Sequence, residues 1–429
     1  MINKNSSILG LITILQLAIG LFSQLFIIKI LGAGELTDAF IAAQTIPAIL
    51  STILVTVFQS AYLPSLSIKA KFPNRWHIEQ GKAHAKLFII FGGLFLILFF
   101  LSDIVLSLIF QGFDAEQIKL TKYLFIFFMI SFWLNTHNHI FAITLRTIDK
   151  FILADSILLI GTVLNLLLIF FLLNKEDIDM LGTIYVVSSL MVFLVLYVIS
   201  GRPNLIFKNI FKNNKNWKLM IPLIKGNMLY KTSPIVDRYL LSNSFNGGMT
   251  IFAIAQMFQS SIIKIIDKLL IVMIIPDISK LVKKGNFQEL RSLYITFIYK
   301  IIVVVSVSFG LIGFYEMFEL QFLEYLFNIN NQQEEILMNI ILILHLAIFA
   351  GLSVSINTAY FYAFGDTISV TNVGIKGYFA SIVLKIVLFY FLGILGLAIA
   401  VSIHQLGNFI VLHILLINKL KRKINVIVQ

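Results

Sequence analysis

Residues 39–71 read AFIAAQTIPAILSTILVTVFQSAYLPSLSIKAK, and residues 251–283 read IFAIAQMFQSSIIKIIDKLLIVMIIPDISKLVK. Laid over each other at an offset of 212, about half of the 429-residue chain, they agree without a gap. The matches are Phe40/Phe252, Ala43/Ala255, Gln44/Gln256, Ile53/Ile265, Pro64/Pro276, Ser67/Ser279 and Lys71/Lys283. The polar landmarks carry the match: a Gln near the start of an apolar run, then a Pro at its basic end. Each run exceeds the roughly 20 apolar residues that take a helix across a bilayer. The chain therefore reads as a duplicated membrane protein.

Composition agrees. Hydrophobic residues make up 59% of the chain, charged residues only 13%, and the mean hydropathy is +0.94. A soluble domain carries roughly a quarter charged residues. At about 35 residues per span with its loop, the length accommodates about a dozen spans and leaves little for a soluble catalytic domain. The absence of cysteine excludes disulfides, Cys-ligated metals, Fe–S clusters and thiol nucleophiles. A net charge of +12 would suggest nucleic acid in a soluble protein. In a membrane chain it reads first as asymmetric loops, so no nucleic-acid partner is expected.

Twelve apolar windows follow, near 8–30, 38–63, 86–110, 123–145, 151–173, 181–200, 219–242, 249–276, 292–315, 336–362, 368–392 and 394–418. Met1–Ser7 leads directly into the first, which is too long for a signal sequence and reads as a retained helix. Alternating sides places twenty-one Lys and Arg on one face of the membrane and four on the other. The rich side holds the loops with Lys69, Lys71, Arg75, Lys82 and Lys86, the 202–218 segment, and the tail Lys419–Lys423. That side is cytoplasmic, so both termini are inside. Windows 2 and 8 face the same way, each second in a set of six, so the repeat is parallel. The expected fold is an all-α polytopic membrane protein: about 12 transmembrane helices in two parallel six-helix lobes around a central cavity. Residues 1–200 form the first lobe, 201–218 a basic cytoplasmic linker, 219–418 the second lobe, and 419–429 a basic cytoplasmic tail.

Apart from Lys29 and Lys86 at window edges, cations inside the windows lie only in the second half: Lys225, Lys231, Arg238, Lys264, Lys268, Lys300, Lys376 and Lys385. Each costs roughly 2.5–3.5 kcal/mol at a helix centre on insertion scales, which makes function the default reading. Asn227, Lys231, Pro234 and Arg238 fall on one helical face, as do Gln256, Ser260, Lys264 and Asp267. Asn372 shares a face with Lys376. Lys225 and Lys300 sit near helix ends and read as snorkelling; Lys268 and Lys385 read as structural.

The first half offers Gln16, Ser23, Gln24, Gln44, Thr52, Asp155, Thr162 and Asn165. Under the repeat, Thr52 corresponds to Lys264 and Thr56 to Lys268. A cavity with Lys231, Arg238, Lys264 and Lys376 suits an anionic substrate, Lys as a point charge and Arg as a fork for phosphate. Asp38, Asp155, Asp237 and Asp267, with Gln44 and Gln256, are candidate coupling or gating groups. Pro47 and Pro234, inside the second and seventh windows, are candidate hinges. His137 and His139 lie two apart on different faces and read as hydrogen-bonding groups, so no metal site is expected. No P-loop, G-x-S-x-G or H-E-x-x-H occurs, and no catalytic residue is assigned.

Gly32-Ala33-Gly34-Glu35-Leu36-Thr37-Asp38-Ala39-Phe40, with Ile46-Pro47 and Tyr62-Leu63-Pro64, resembles the MurJ/MviN-type lipid II flippases. These belong to the superfamily of multidrug, oligosaccharidyl-lipid and polysaccharide exporters. Val236-Asp237-Arg238-Tyr239, Gly247-Gly248, Ile275-Pro276 and Tyr362-Ala363-Phe364-Gly365-Asp366-Thr367 extend the resemblance over most of the chain. It implies a bacterial cytoplasmic-membrane flippase, not an enzyme, that moves an undecaprenyl-pyrophosphate-linked oligosaccharide to the outer leaflet by alternating access. It also implies Asp38 at the outer gate end of helix 2, with Arg238 and the Lys264 region in the cavity.

The sequence departs from the family pattern. Ser23 and Gln24 stand where an Arg-Asp pair is usual, and Ser51 and Thr52 where paired Arg follow the helix-2 Pro. Twelve spans replace the usual fourteen. An O-antigen or capsular-type repeat unit is therefore expected as cargo beside lipid II. No cofactor is expected beyond a coupling ion (proton, Na+ or an anion). The expected partners are the lipid-linked glycan, membrane lipids and other glycan-assembly proteins. The rival readings are a cation-coupled multidrug exporter and a membrane polysaccharide-processing enzyme.

Overall fold

The computed structural model describes residues 4–175, 177–207, 231–317 and 322–428. These residues are helical, with no strand among them. The first elements are α1 (Lys4–Leu31), α2 (Glu35–Lys69), α3 (Pro73–Phe100), α4 (Ser102–Ile109), α5 (Ala115–Arg146), α6 (Phe151–Leu172) and α7 (Met180–Ile199). Then come α8 (Ser233–Ser242), α9 (Gly248–Ile266), a π-helical turn (Asp267–Ile271), α10 (Val272–Lys284) and α11 (Phe287–Met317). Last are α12 (Phe322–Phe327), α13 (Asn331–Ala363) and α14 (Thr367–Val428).

Local chemistry explains the ends. Asp114 caps α5 by accepting from Gln117 N at 2.7 Å. Asn330 and Gln333 form a reciprocal capping box at the start of α13. The 62-residue α14 is interrupted once, at Gly393, with φ 59° and ψ −139°. That conformation belongs to glycine. A Cβ on Gly396 would meet Leu388 O at 2.0 Å, so the chain folds back tightly here into two arms, 367–392 and 394–428. The break falls between the last two apolar windows.

Ten helices among the described residues are long and apolar enough to span a membrane, the last of them running from Thr367 to Ile424 through Gly393. Counting its arms separately makes the total compatible with twelve, because most of the seventh window, with Lys225 and Asn227, lies outside the described residues. Part of the expected linker 201–218 lies outside them too.

Several boundaries differ from expectation. The third window starts too late and reads through a break. α3 already begins at Pro73, and Leu101, with φ −95° and ψ 4°, separates it from α4. Arg75, Lys82 and Lys86 thus lie on a helix, not in a loop. Their charges mask helical turns that extend beyond the apolar zone. Lys69, the last residue of α2, pairs with Glu79 of α3 at 2.6 Å. Pro234 stands in the first turn of α8, where a missing N–H costs nothing.

Contacts divide the chain into two compact units, 1–250 and 251–429. In the first, α2 packs on α5, α5 on α7, and α6 on both α1 and α7. Phe141, Leu145, Ala154, Ile157 and Leu196 form its best-defined apolar cluster. In the second, α13 packs on both arms of α14, with Leu412, Leu416 and Leu420 turned into a core that also holds Tyr294 and Tyr360. The Tyr294 hydroxyl donates to Asn357 Oδ1 at 2.9 Å and lies 2.6 Å from His413 Nδ1.

The arms of α14 are clamped at their polar end. Asp366 accepts from Ser369 N at 3.1 Å and Ser369 Oγ at 3.0 Å, and Lys419 Nζ donates to it at 2.6 Å. The Lys419 hydrogen bond, then that from Ser369 N, hold the Asp366 carboxyl below the usual carboxylate range. A depressed carboxylate stabilises the fold above its unfolded pKa near 4, and that stabilisation disappears as pH falls through its own lowered value. Asp366→Asn should therefore cost about 1 kcal/mol at pH 7, a cap plus a partly exposed ion pair. Melting curves of both proteins should converge as the pH falls through the lowered pKa of this carboxyl, and a gap of constant size would refute this account.

Candidate functional site

The first unit encloses a cavity of about 520 Å³. α1 contributes Gln16, Ser23 and Gln24; α2 contributes Ser51, Thr52 and Thr56. α5 contributes Phe132, Asn135 and His139; α6 contributes Thr162 and Asn165; α7 contributes Tyr185, Ser188 and Ser189. The lining holds hydroxyls, amides, one imidazole and two aromatic rings, with no Asp, Glu, Lys or Arg among the described residues. Gln24 Nε2 donates to the Tyr185 hydroxyl at 3.0 Å, Asn165 Nδ2 to Ser188 Oγ at 3.0 Å, and Ser51 Oγ lies 2.8 Å from Thr136 Oγ1. These bonds fix the wall in one arrangement. The Thr52 hydroxyl returns its proton to Ala48 O at 2.7 Å, which leaves its lone pairs facing the cavity. Gln44 lies behind this wall against Tyr185, with its Nε2 buried and unpartnered. Such a surface can exchange neutral hydrogen bonds with a hydroxyl-rich ligand and stack on its apolar faces.

A second constellation of the same unit centres on Asp38, buried in the first turns of α2. Its carboxylate accepts from Gly247 N at 2.9 Å, Thr250 N at 2.8 Å and Thr250 Oγ1 at 2.6 Å. Gly247 and Thr250 flank the start of α9, so Asp38 satisfies N–H groups that the helix itself leaves open. Asn246 Nδ2 donates to Glu35 Oε1, and Gln117 Nε2 to Glu35 O. Arg238 lies within the electrostatic reach of Asp38 and the buried Asp237, and its Nη1 is buried with no hydrogen-bond partner.

The expected residues thus divide. Gln16, Ser23, Gln24, Thr52, Thr162 and Asn165 do meet in one cavity. Arg238 groups with Asp38 and does not line that cavity. Asp155 does not line it either: it is paired with Arg146 at 2.5 Å across the α5–α6 turn, which removes it as a free carboxylate. Lys231 is half-buried. In the second unit Lys264 is exposed, while Gln256 and Asp267 are half-buried, with Asp267 opening the π-helical turn. Lys376 is exposed and lines a cleft between the two arms of α14. Pro47 lies within α2. His137 Nδ1 is 2.8 Å from His84 Nδ1, a hydrogen-bonded pair, and no cluster of three metal-ligating groups occurs among the described residues.

Sequence reading missed Tyr185, Ser188 and Ser189, although with Val192 they recur at i, i+3, i+4 and i+7 on one face of α7. The Asp38–Thr250 contact was also legible: the two residues are 212 apart, the repeat offset itself.

A family model described as the lipid II flippase MurJ matches residues 27–428. The chain belongs to the MurJ family. Among solved structures, the MurJ lipid II flippase in an inward closed conformation superposes with a TM-score of 0.78 at 17% identity, covering 97% of this chain and 89% of that one. An inward-facing MATE-family multidrug resistance transporter of the MOP superfamily gives 0.75 at 15% identity, covering 96% of each chain. A MOP-superfamily transporter from Pyrococcus furiosus, described as having a binding pocket of reversed polarity, gives 0.63 at 13% identity, covering 97% and 96%. No curated protein sequence matches the chain significantly. As a MurJ-family protein with this fold, the chain is a multi-pass membrane transporter and not an enzyme. Within the MurJ family its uncharged first-unit cavity matches the departures at Ser23, Gln24, Ser51 and Thr52.

Proposed function

We propose that the chain moves a polyprenyl-pyrophosphate-linked oligosaccharide of uncharged sugars from the inner to the outer leaflet of the bacterial cytoplasmic membrane. The observation that carries this reading is the neutral, hydroxyl- and amide-lined cavity of about 520 Å³. Burying a polar group without a partner costs roughly 1–3 kcal/mol, so a cavity of neutral donors and acceptors favours a sugar over a stem peptide rich in carboxylates. The pyrophosphate falls to Lys231, Arg238 and Lys264. Arg238 offers an unspent donor. Lys264 occupies the repeat position of Thr52, which lines the neutral cavity. The glycan crosses while its polyprenyl chain stays in lipid, and the two halves rock about the repeat axis. Asp38 latches the outer gate in the inward-facing state. A proton, Na+, an anion or the membrane potential drives the cycle, the last supplying about 2.3 kcal/mol per charge per 100 mV.

The test is mass spectrometry of lipid-linked glycans in depleted cells. The expected product is an undecaprenyl-linked oligosaccharide of neutral sugars, accumulating in viable cells that lack a surface glycan. Accumulated lipid II with lysis would instead make the chain a peptidoglycan flippase. Lys231→Ala, Arg238→Ala and Lys264→Ala should each lower flipping at least about tenfold, the loss of one charge-assisted phosphate contact of about 1.5–3 kcal/mol. Intact flipping in both Lys231→Ala and Arg238→Ala would refute the phosphate assignment.

A further inference from the structure

The second unit contains a cleft of about 610 Å³ between the two arms of α14. Its floor is apolar: Val373 and Leu384 on one arm, Val411 and Leu415 on the other. Polar groups interrupt it: Ser369, Asn372, Lys376 and Ser381 on the first arm, His404 and Asn408 on the second. Asn408 Nδ2 lies 3.0 Å from His404 Nε2, so those two brace each other. Lys376 is exposed and makes no hydrogen bond or ion pair with any described residue. The acid closest to it in sequence, Asp366, is already engaged by Lys419 and Ser369. An ammonium left open over an apolar floor lacks an anion that brings its own hydrocarbon.

The dimensions fit one class of molecule. From Ser369 to Leu384 the cleft runs for about 22 Å along the helix, at 1.5 Å per residue. One leaflet of hydrocarbon is about 15 Å deep, half the bilayer core, and the headgroup zone adds a further 5–8 Å. Lys376 sits just over two turns, roughly 12 Å, inside the apolar window that starts at 368, and its side chain extends back toward the headgroup boundary. Lys421, Arg422 and Lys423, all exposed, follow at the same end of the second arm. Basic pockets between transmembrane helices near such a surface favour lipid phosphates.

We propose that this cleft binds a phosphate-bearing lipid from the leaflet on the side of the C-terminal tail. The phosphate rests on Lys376 and Asn372, and a hydrocarbon chain lies along Val373, Leu384, Val411 and Leu415. The site lies wholly in the second unit and does not depend on what the first-unit cavity transports. A membrane phospholipid and a polyprenyl phosphate share this chemistry; a single lysine suits one phosphate charge, which both carry.

The full chain in nanodiscs, titrated with phosphatidylglycerol against a phosphatidylcholine background and read by native mass spectrometry, tests the proposal. Phosphatidylglycerol should be retained over phosphatidylcholine. Lys376→Gln should weaken that retention about tenfold and Lys376→Arg restore most of it. Ala380→Phe, which fills the cleft floor and keeps the lysine's charge, should weaken it too. Polyprenyl phosphate in a parallel titration identifies the source: displacement of phosphatidylglycerol at equimolar amounts assigns the site to the isoprenoid, and failure to displace assigns it to the phospholipid. Retention unchanged in both Lys376→Gln and Ala380→Phe, or equal retention of phosphatidylcholine, overturns the proposal.

Discussion

Asp38→Asn is expected to cut glycan export at least about 100-fold while the protein stays folded in the membrane. The carboxylate accepts three hydrogen bonds, from Gly247 N, Thr250 N and Thr250 Oγ1. An amide retains one acceptor oxygen and turns an NH2 group toward donors. Oδ1 takes both Thr250 bonds and Oδ2 the Gly247 bond, so the amide loses the Gly247 contact, sets its NH2 against that N–H and weakens the two bonds it keeps. With bonds to a charged group at about 1.5–3 kcal/mol each, the total reaches roughly the 2.8 kcal/mol of a hundredfold change. The loss falls on the state in which this contact is closed, the inward-facing state in the proposed cycle. The chain has no cysteine, so a single Cys introduced at the fully buried Met249 reports the contact without background. Labelling by an impermeant maleimide should be slow in that parent and fast once Asp38→Asn is added. Slow labelling together with intact export would show that Asp38 is only a helix cap.

Gly112→Val should be the most damaging substitution outside the cavities. A Cβ at Gly112 would sit 1.9 Å from Ser242 O and 2.5 Å from its carbonyl carbon. Both partners are backbone, and Ser242 ends α8, so neither side can rotate away. Overpacking of this kind costs typically 1–3 kcal/mol, and more where backbone meets backbone; about 3 kcal/mol or more is expected here. Gly112→Ala should fail nearly as badly, because the offending atom is the Cβ itself. Gly92 and Gly93 supply the control: a Cβ there meets nothing within 4 Å. Alanine at either should change stability by no more than about 1 kcal/mol, in the favourable direction that helix propensity dictates. Thermal unfolding of the solubilised protein separates the cases, and a Gly112→Ala melting point within a degree or two of the parent would refute the clash.

Apolar periodicity made the fold readable because every span must satisfy its own backbone in lipid. It placed the junction of the last two windows at Gly393 and the repeat-related helices at 39–71 and 251–283. It failed where helices extend past the apolar zone. Arg75, Lys82 and Lys86 look like loop residues to a hydropathy window, yet they sit on α3, with Arg75 exposed, Lys82 half-buried and Lys86 buried. The first-unit cavity was legible as stripes of Gln, Ser, Thr and Asn on α1, α2 and α6. Its Tyr185 was hidden in composition, as one tyrosine among many aromatics, and showed only in its i, i+3, i+4 and i+7 spacing with Ser188, Ser189 and Val192. Asp155 was misread for a geometric reason. Its stripe with Thr162 was real, but the same face continues to the helix end, where Arg146 waits across a short turn. Partners across a turn are invisible to an argument made one helix at a time.

The single reversal at Gly393 bears on how the protein is made. Helix runs unbroken on both sides of that residue, and Gly396 presses against Leu388 O. No loop separates the two arms for the insertion machinery to thread independently. The last two spans must therefore enter the bilayer together, as a preformed hairpin. The decision on their orientation falls to Lys419, Lys421, Arg422 and Lys423, the basic cluster on the second arm. A chain cut before them would present this hairpin without its basic cluster, leaving Lys376 and Lys385, both within the spans, as its cations.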